Sequence, residues 1–303
     1  MPIVNSDSLN FNGPDPFAEA QDQRFTPPAY QREAAQAAAV QAGAGTAAVR
    51  YRFIARTDPH APSPPMARIL RGSGGRGGAT RLKLYLSLLW LARSASRDRP
   101  VFAYPAQQLA ALLGLPAPRA AGARRVQEAL GWLDNEGFVA LDRRPGDATR
   151  VHLLDDAGSG DPYRPAGPLA IAASKRSQKD REPHFYVQLD ARLWTEGWIT
   201  DLSGAAIGML LASLYEQRGR PTEPVWVSPR IGRERYDLSD ETRNKGLREL
   251  VAKGLLELLR RPVPTASFDE RFRARNVYIV RHGAWTHTVP ASNSLPFRQP
   301  NRT

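Results

Sequence analysis

Thr242, Arg243, Asn244, Lys245 and Arg248 open the segment TRNKGLRELVAKG, and Arg124, Arg125 and Gln127 open RRVQEALGWLDNEG. A guanidinium presents a planar fork of donors that matches the two acceptors of guanine, and an Asn or Gln amide presents the donor and acceptor that adenine requires. Further along, Arg143, Arg144 and Arg150 flank a short turn, and Arg260, Arg261, Arg271, Arg273 and Arg275 flank a longer one. An arginine that meets a phosphate displaces counterions and positions a protein on a polyanion.

The elements that carry these residues occur twice at a constant offset of 117 residues: Leu130, Leu133, Gly137, Arg144 and Pro145 match Leu247, Leu250, Gly254, Arg261 and Pro262. Each copy reads as an amphipathic helix that stops at a glycine and runs into a strand ending in Arg-Arg-Pro. In the second copy Ser239 is a suitable N-cap, with Asp240 and Glu241 in the first turn to complement the helix dipole.

The flanking elements also repeat. RLKLYLSLLWLAR from Arg81 is apolar nearly all round and predicts a helix buried on several sides, with LSGAAIGMLLASLYEQRG from Leu202 as its counterpart. VFAY (101–104) and VWVS (225–228) read as short strands, and Pro105 and Pro229 each suit the first turn of a second helix. Phe138–Leu141 with Val151–Leu154, and Leu256–Leu259 with Asn276–Val280, read as hairpins. The order helix, strand, helix, helix, strand, strand divides the chain into units at 81–154 and 184–281, joined by a linker at 155–183 and followed by a tail at 282–303. Residues 1–80, rich in Pro, Ala, Gln and Gly, are expected to be mostly disordered, apart from a short Ala-rich helix near 33–41 and a strand in VRYRFIA.

This order resembles the winged helix-turn-helix family, and the fold class it implies is α+β, mainly helical, with two winged-helix domains after a disordered N-terminal region. In that family the third helix enters the major groove and the wing lies along the phosphate backbone or minor groove. The resemblance makes Arg124, Arg125, Gln127, Thr242, Arg243, Asn244, Lys245 and Arg248 groove contacts, and Arg143, Arg144, Arg150, Arg260, Arg261, Arg271, Arg273 and Arg275 wing contacts. It implies a non-enzymatic protein that binds double-stranded DNA and acts in transcriptional regulation. Two such units in one chain also resemble plasmid or phage replication initiators on origin repeats. A reading of another class is the winged-helix interaction subunit of a chromosome-condensing complex. A palindromic target requires a homodimer, whereas two unlike heads in one chain read an asymmetric site alone.

Composition agrees with a polyanionic partner. The 303 residues carry 42 Lys plus Arg against 30 Asp plus Glu, a net of +12, and the two units carry +5 and +3 of it. There is no cysteine, so disulfides, thiolate zinc sites and thiol nucleophiles are excluded. No basic-plus-apolar leader opens the chain, and the leucine-rich run near 82–91 is too short for a bilayer, so the expectation is a cytoplasmic bacterial protein on nucleoid or plasmid DNA, without a membrane. The histidines at 60, 152, 184, 282 and 287 are scattered, which predicts no metal and no cofactor. The glycine-rich GSGGRGGAT lacks a Gly-Lys-Ser/Thr ending and is expected to be a hinge, with a minor-groove arm through Arg71 and Arg76 as the lesser reading. Asp155 and Asp156 are expected to be solvated at the mouth of the linker. Trp132, Ile207 and Trp226 are expected in the core, and Trp194 and Trp198 in the core or at a dimer contact.

Overall fold

The computed structural model describes residues 25–43, 45–71, 77–93, 101–144, 148–173, 184–218, 220, 222–263 and 273–283. The chain starts with helix α1 (Ala29–Ala42), strand β1 (Ala47–Arg50), one helical turn α2 (Tyr51–Ile54) and helix α3 (Pro65–Arg71). The first repeat unit follows as α4 (Gly78–Leu91), β2 (Val101–Phe102), α5 (Ala106–Leu112), α6 (Ala123–Asn135), β3 (Val139–Asp142) and β4 (Arg150–Leu153). A wide π-type turn, Pro118–Gly122, runs directly into α6 and forms its entry. Helix α7 (Ala166–Ala173) precedes the second unit. That unit comprises β5 (Tyr186–Leu189), the turns α8 (Arg192–Thr195) and α9 (Trp198–Asp201), α10 (Gly204–Gln217), α11 (Pro229–Glu234), α12 (Asp240–Ala252), β6 (Leu256–Val263) and β7 (Arg273–Val280). The architecture is α+β and mainly helical.

The 117-residue offset holds at the level of backbone geometry, because α6 and α12 each have 13 residues and both of their ends differ by that number. Both end in a left-handed glycine, Gly137 at φ 74° and Gly254 at φ 71°. In each case the next N–H reaches back to a carbonyl of the last turn, from Phe138 to Leu133 and from Leu255 to Leu250, both at 2.9 Å. A glycine past the helix end is favoured there because a Cβ clashes in the left-handed region. Ser239 caps α12 by accepting from the Thr242 N–H, and Asp240 and Glu241 fill its first turn.

The sheets repeat as well. In the first unit the strand order is β2-β4-β3, all antiparallel. In the second, β6 pairs with β7, and Val225 forms an isolated antiparallel bridge to Tyr278 of β7. Each unit therefore brings the chain that follows its first long helix against the last strand of its hairpin.

Residues 25–71 are not the disordered region that composition suggests. β1 pairs antiparallel with β5 of the second unit, from Ala47 opposite Leu189 to Arg50 opposite Tyr186. Phe53 stacks on Tyr85 of α4, and Met66 and Ile69 of α3 are fully buried. In α1, Gln31 is fully buried and donates to the Trp194 and Leu112 carbonyls. α1 is as long as α4 but alanine-rich, and VRYRFIA, expected as one strand, divides into β1 and the helical turn α2, so no strong apolar period announces either segment. Residues 72–76, which hold the centre of the glycine-rich stretch and Arg76, lie outside the described residues. On their N-terminal side Arg71 pairs with Asp237 at 2.6 Å.

The start of the expected linker is likewise part of the core. Asp156 is fully buried and bound by the Arg50 guanidinium, which also donates to the Arg164 carbonyl and lies over the Tyr163 ring. The reading of Asp155 and Asp156 as solvated carboxylates is thus corrected, because an unpaired Arg50 in that position would be costly and the acids neutralise it. Residues 174–183 lie outside the described residues.

One cluster of buried side chains runs from Ala35 to Val280 through both units. Trp90 of α4 stacks on Trp194 of α8, and Trp194 and Trp198 are buried, as the core reading expected. Trp226 is corrected: it is 39% exposed while Val225 and Val227 on either side are buried.

Candidate nucleic-acid interface

In α6, Val126, Ala129, Leu130 and Leu133 form the buried stripe. The helical period then turns Arg124, Arg125 and Gln127 outward, and all three are exposed. Arg125 is near enough to α4 to donate to the Thr80 hydroxyl at 3.4 Å. Arg143, Arg144 and Arg150 are exposed at the far end of the β3–β4 hairpin. Arg144 lies 3.1 Å from Asp142, and Arg143 lies 4.0 Å from Asp134. Exposed pairs of this kind contribute little, so a phosphate can replace the carboxylate partner. Arg124 and Arg150 have no ion pair among the described residues.

The second unit arranges its residues differently. Lys245 and Arg248 project from α12, are exposed, and have no ion pair among the described residues. Thr242 is half-buried, with its hydroxyl bonded to the Ser239 hydroxyl at 2.9 Å. Arg243 turns back under the unit and donates to the Val227 carbonyl at 2.9 Å and to Oδ1 of Asn244 at 2.8 Å. The structure therefore joins Arg243 and Asn244 to each other instead of presenting two separate side chains.

On the β6–β7 hairpin Arg260 and Arg261 are exposed, and Arg261 stands directly opposite Arg275 in the register. The Arg275 guanidinium lies 3.6 Å from the centroid of the Trp226 ring. Of the aromatic rings, the indole offers a cation the most favourable face, and at an exposed site the contact is modest. Period 2 held the signal for this contact: in Val225-Trp226-Val227 the alternation that buries the valines sends Trp226 outward. Arg273 begins β7 opposite Val263. Arg271 lies outside the described residues.

Comparison with known proteins finds no matching family model, no matching curated protein and no matching solved structure.

Lys83 of α4 lies where the two units meet and donates to the Thr200 carbonyl at 3.0 Å. Burial lowers its pKa to about 8; Glu249 and Asp201 act the other way, and Arg125 adds to the lowering. Charged groups on both α6 and α12 thus act on one lysine. Glu249 also accepts from the Ser203 N–H at 2.7 Å, and Lys253 meets Asp201 at 2.6 Å.

Among the described residues no group of three or more His, Cys, Asp or Glu is placed to hold a metal ion, and no helix is long and apolar enough to cross a membrane.

Proposed function

We propose that the chain binds double-stranded DNA sequence-specifically and without enzymatic activity, its two repeat units acting as winged-helix domains. α6 and α12 serve as the groove-reading helices and the β3–β4 and β6–β7 hairpins as wings. The observation that carries this reading is the geometric repeat itself: two helices of equal length, closed by equivalent left-handed glycines, each followed by a hairpin whose last strand meets the chain after the unit's first long helix. The exposed cations support it, since Arg124, Lys245 and Arg248 lie on the helices and Arg150, Arg260 and Arg261 on the wings, all without an ion pair among the described residues.

The role we propose is transcriptional regulation. A second reading, initiation of plasmid or phage replication on repeated sites, is favoured by one observation. The two units share a core through Trp90 and Trp194, and such a pair of unlike heads suits an asymmetric element repeated in tandem. Selection of the intact chain against a random duplex library tests the DNA reading. One enriched sequence, bound with an affinity that falls steeply with salt, supports it; no enrichment and a flat salt response refute it. Tandem asymmetric repeats beside an AT-rich segment in the native target indicate replication, and a promoter indicates regulation.

A further inference from the structure

Arg243 and Asn244 are adjacent in sequence, and on a helix adjacent residues point about 100° apart. Two neighbouring side chains that each read a base would project separately toward the groove. Here the Arg243 side chain runs the other way. One guanidinium nitrogen donates to the Val227 carbonyl at 2.9 Å, and the other donates to Oδ1 of Asn244 at 2.8 Å. The Arg243 Nε–H is buried without a hydrogen-bond partner among the described residues. The side chain also fits against α11 at Gly232, where a Cβ would come within 3.0 Å of the Arg243 Cδ. A glycine at that position leaves the space that the arginine stem fills.

We infer that Arg243 is a positioning residue and that Asn244 is the specificity-determining one, its amide held in a single orientation by the arginine behind it. The inference rests on the proposed function and assigns the part of the site that distinguishes bases. An arginine has donors only, so the Asn244 edge that faces it must be the carbonyl. Rotating the amide by half a turn would set its NH2 against the guanidinium and leave two donors facing each other. The Asn244 NH2 is therefore committed to the other side, as a donor toward the ligand. The base it selects carries an acceptor at that position in the major groove: N7 of a purine, O6 of guanine or O4 of thymine. Cytosine, which offers only its N4 donor there, is disfavoured.

The test is the base preference of the full chain, read by selection on a duplex library, for wild type, Asn244→Ala, Asn244→Asp and Arg243→Gln. Wild type is expected to prefer an acceptor-bearing base at one position. Asn244→Ala and Arg243→Gln should both flatten preference at that same position, at least tenfold, and leave the other positions unchanged. Asn244→Asp keeps the pairing with Arg243, so it retains the fold while replacing the donor by an acceptor, and it should shift preference toward cytosine. Flattening at two different positions shows that Arg243 reads a base of its own and overturns the inference, as does an unchanged preference in Asn244→Asp. Absence of any enrichment by wild type removes the proposed function itself, a result distinct from either of these.

Discussion

Trp90 of the first unit and Trp194 of the second lie stacked, with ring centroids 4.6 Å apart and planes 10° from parallel, and the Trp194 indole N–H donates to the Ser87 hydroxyl at 2.8 Å. Both rings are fully buried. Replacing Trp194 by Ala removes a large side chain from a close-packed site, at a cost of about 3 to 5 kcal/mol. Because the site is shared, amide exchange should speed up in α4 and in α10 together when measured by hydrogen–deuterium exchange. Acceleration confined to the second unit would show that the two units unfold separately.

Arg50 and Asp156 form a buried ion pair that ties the N-terminal segment to the end of the first unit. Asp156→Ala strands a buried guanidinium and should cost about 3 to 5 kcal/mol in urea unfolding. The double variant Arg50→Met, Asp156→Leu should recover most of that loss, since it removes both charges. A single-variant cost near zero would mean that water reaches the pair.

Lys83 predicts a pH dependence. Its pKa of about 8 in the folded chain lies below the ordinary lysine value of 10.5, so between these values the unfolded chain binds more protons and stability rises with pH. The buried tyrosines Tyr85 and Tyr163 are shifted upward by burial and act in the opposite sense at high pH. Comparison with Lys83→Met cancels them. The urea midpoint of wild type relative to this variant should climb from pH 8 to pH 10, and a constant difference would show that Lys83 titrates normally.

The wings should act through phosphates. Arg261→Ala and Arg273→Ala are each expected to weaken binding to all duplexes alike and to lower the salt slope by about 1. Trp226→Ala releases Arg275 from its ring and should likewise lower affinity without altering base preference, while costing about 0.5 to 1 kcal/mol of stability. A change of preferred sequence in any of the three, read by library selection, would contradict the assignment of hairpins as wings.

The repeat was legible because it is written in residues whose physics is local. Leu130 and Leu133 mark a helical stripe, and Gly137 marks a left-handed end, whatever surrounds them. The partnership of Arg50 with Asp156 was not, because a lone arginine and an acidic pair read as solvated charges until the fold brings them together. Gln31 is a similar case: only the approach of Leu112 and Trp194 gives its amide the carbonyls that make burial affordable. At the candidate interface, the spacing placed Arg124, Lys245 and Arg248 on the outer faces of their helices. It said nothing of Arg243 turning toward Val227, since that depends on the space at Gly232.

If the two units read DNA as proposed, their shared core obliges them to read one stretch together. The most direct test is a binding titration of the intact chain on its selected duplex, with and without an insertion of about half a helical turn, roughly 5 base pairs, between the two contacted blocks. A shared core fixes the spacing of the heads, so the insertion should lower affinity at least a hundredfold. Equal affinity for both duplexes would contradict the account.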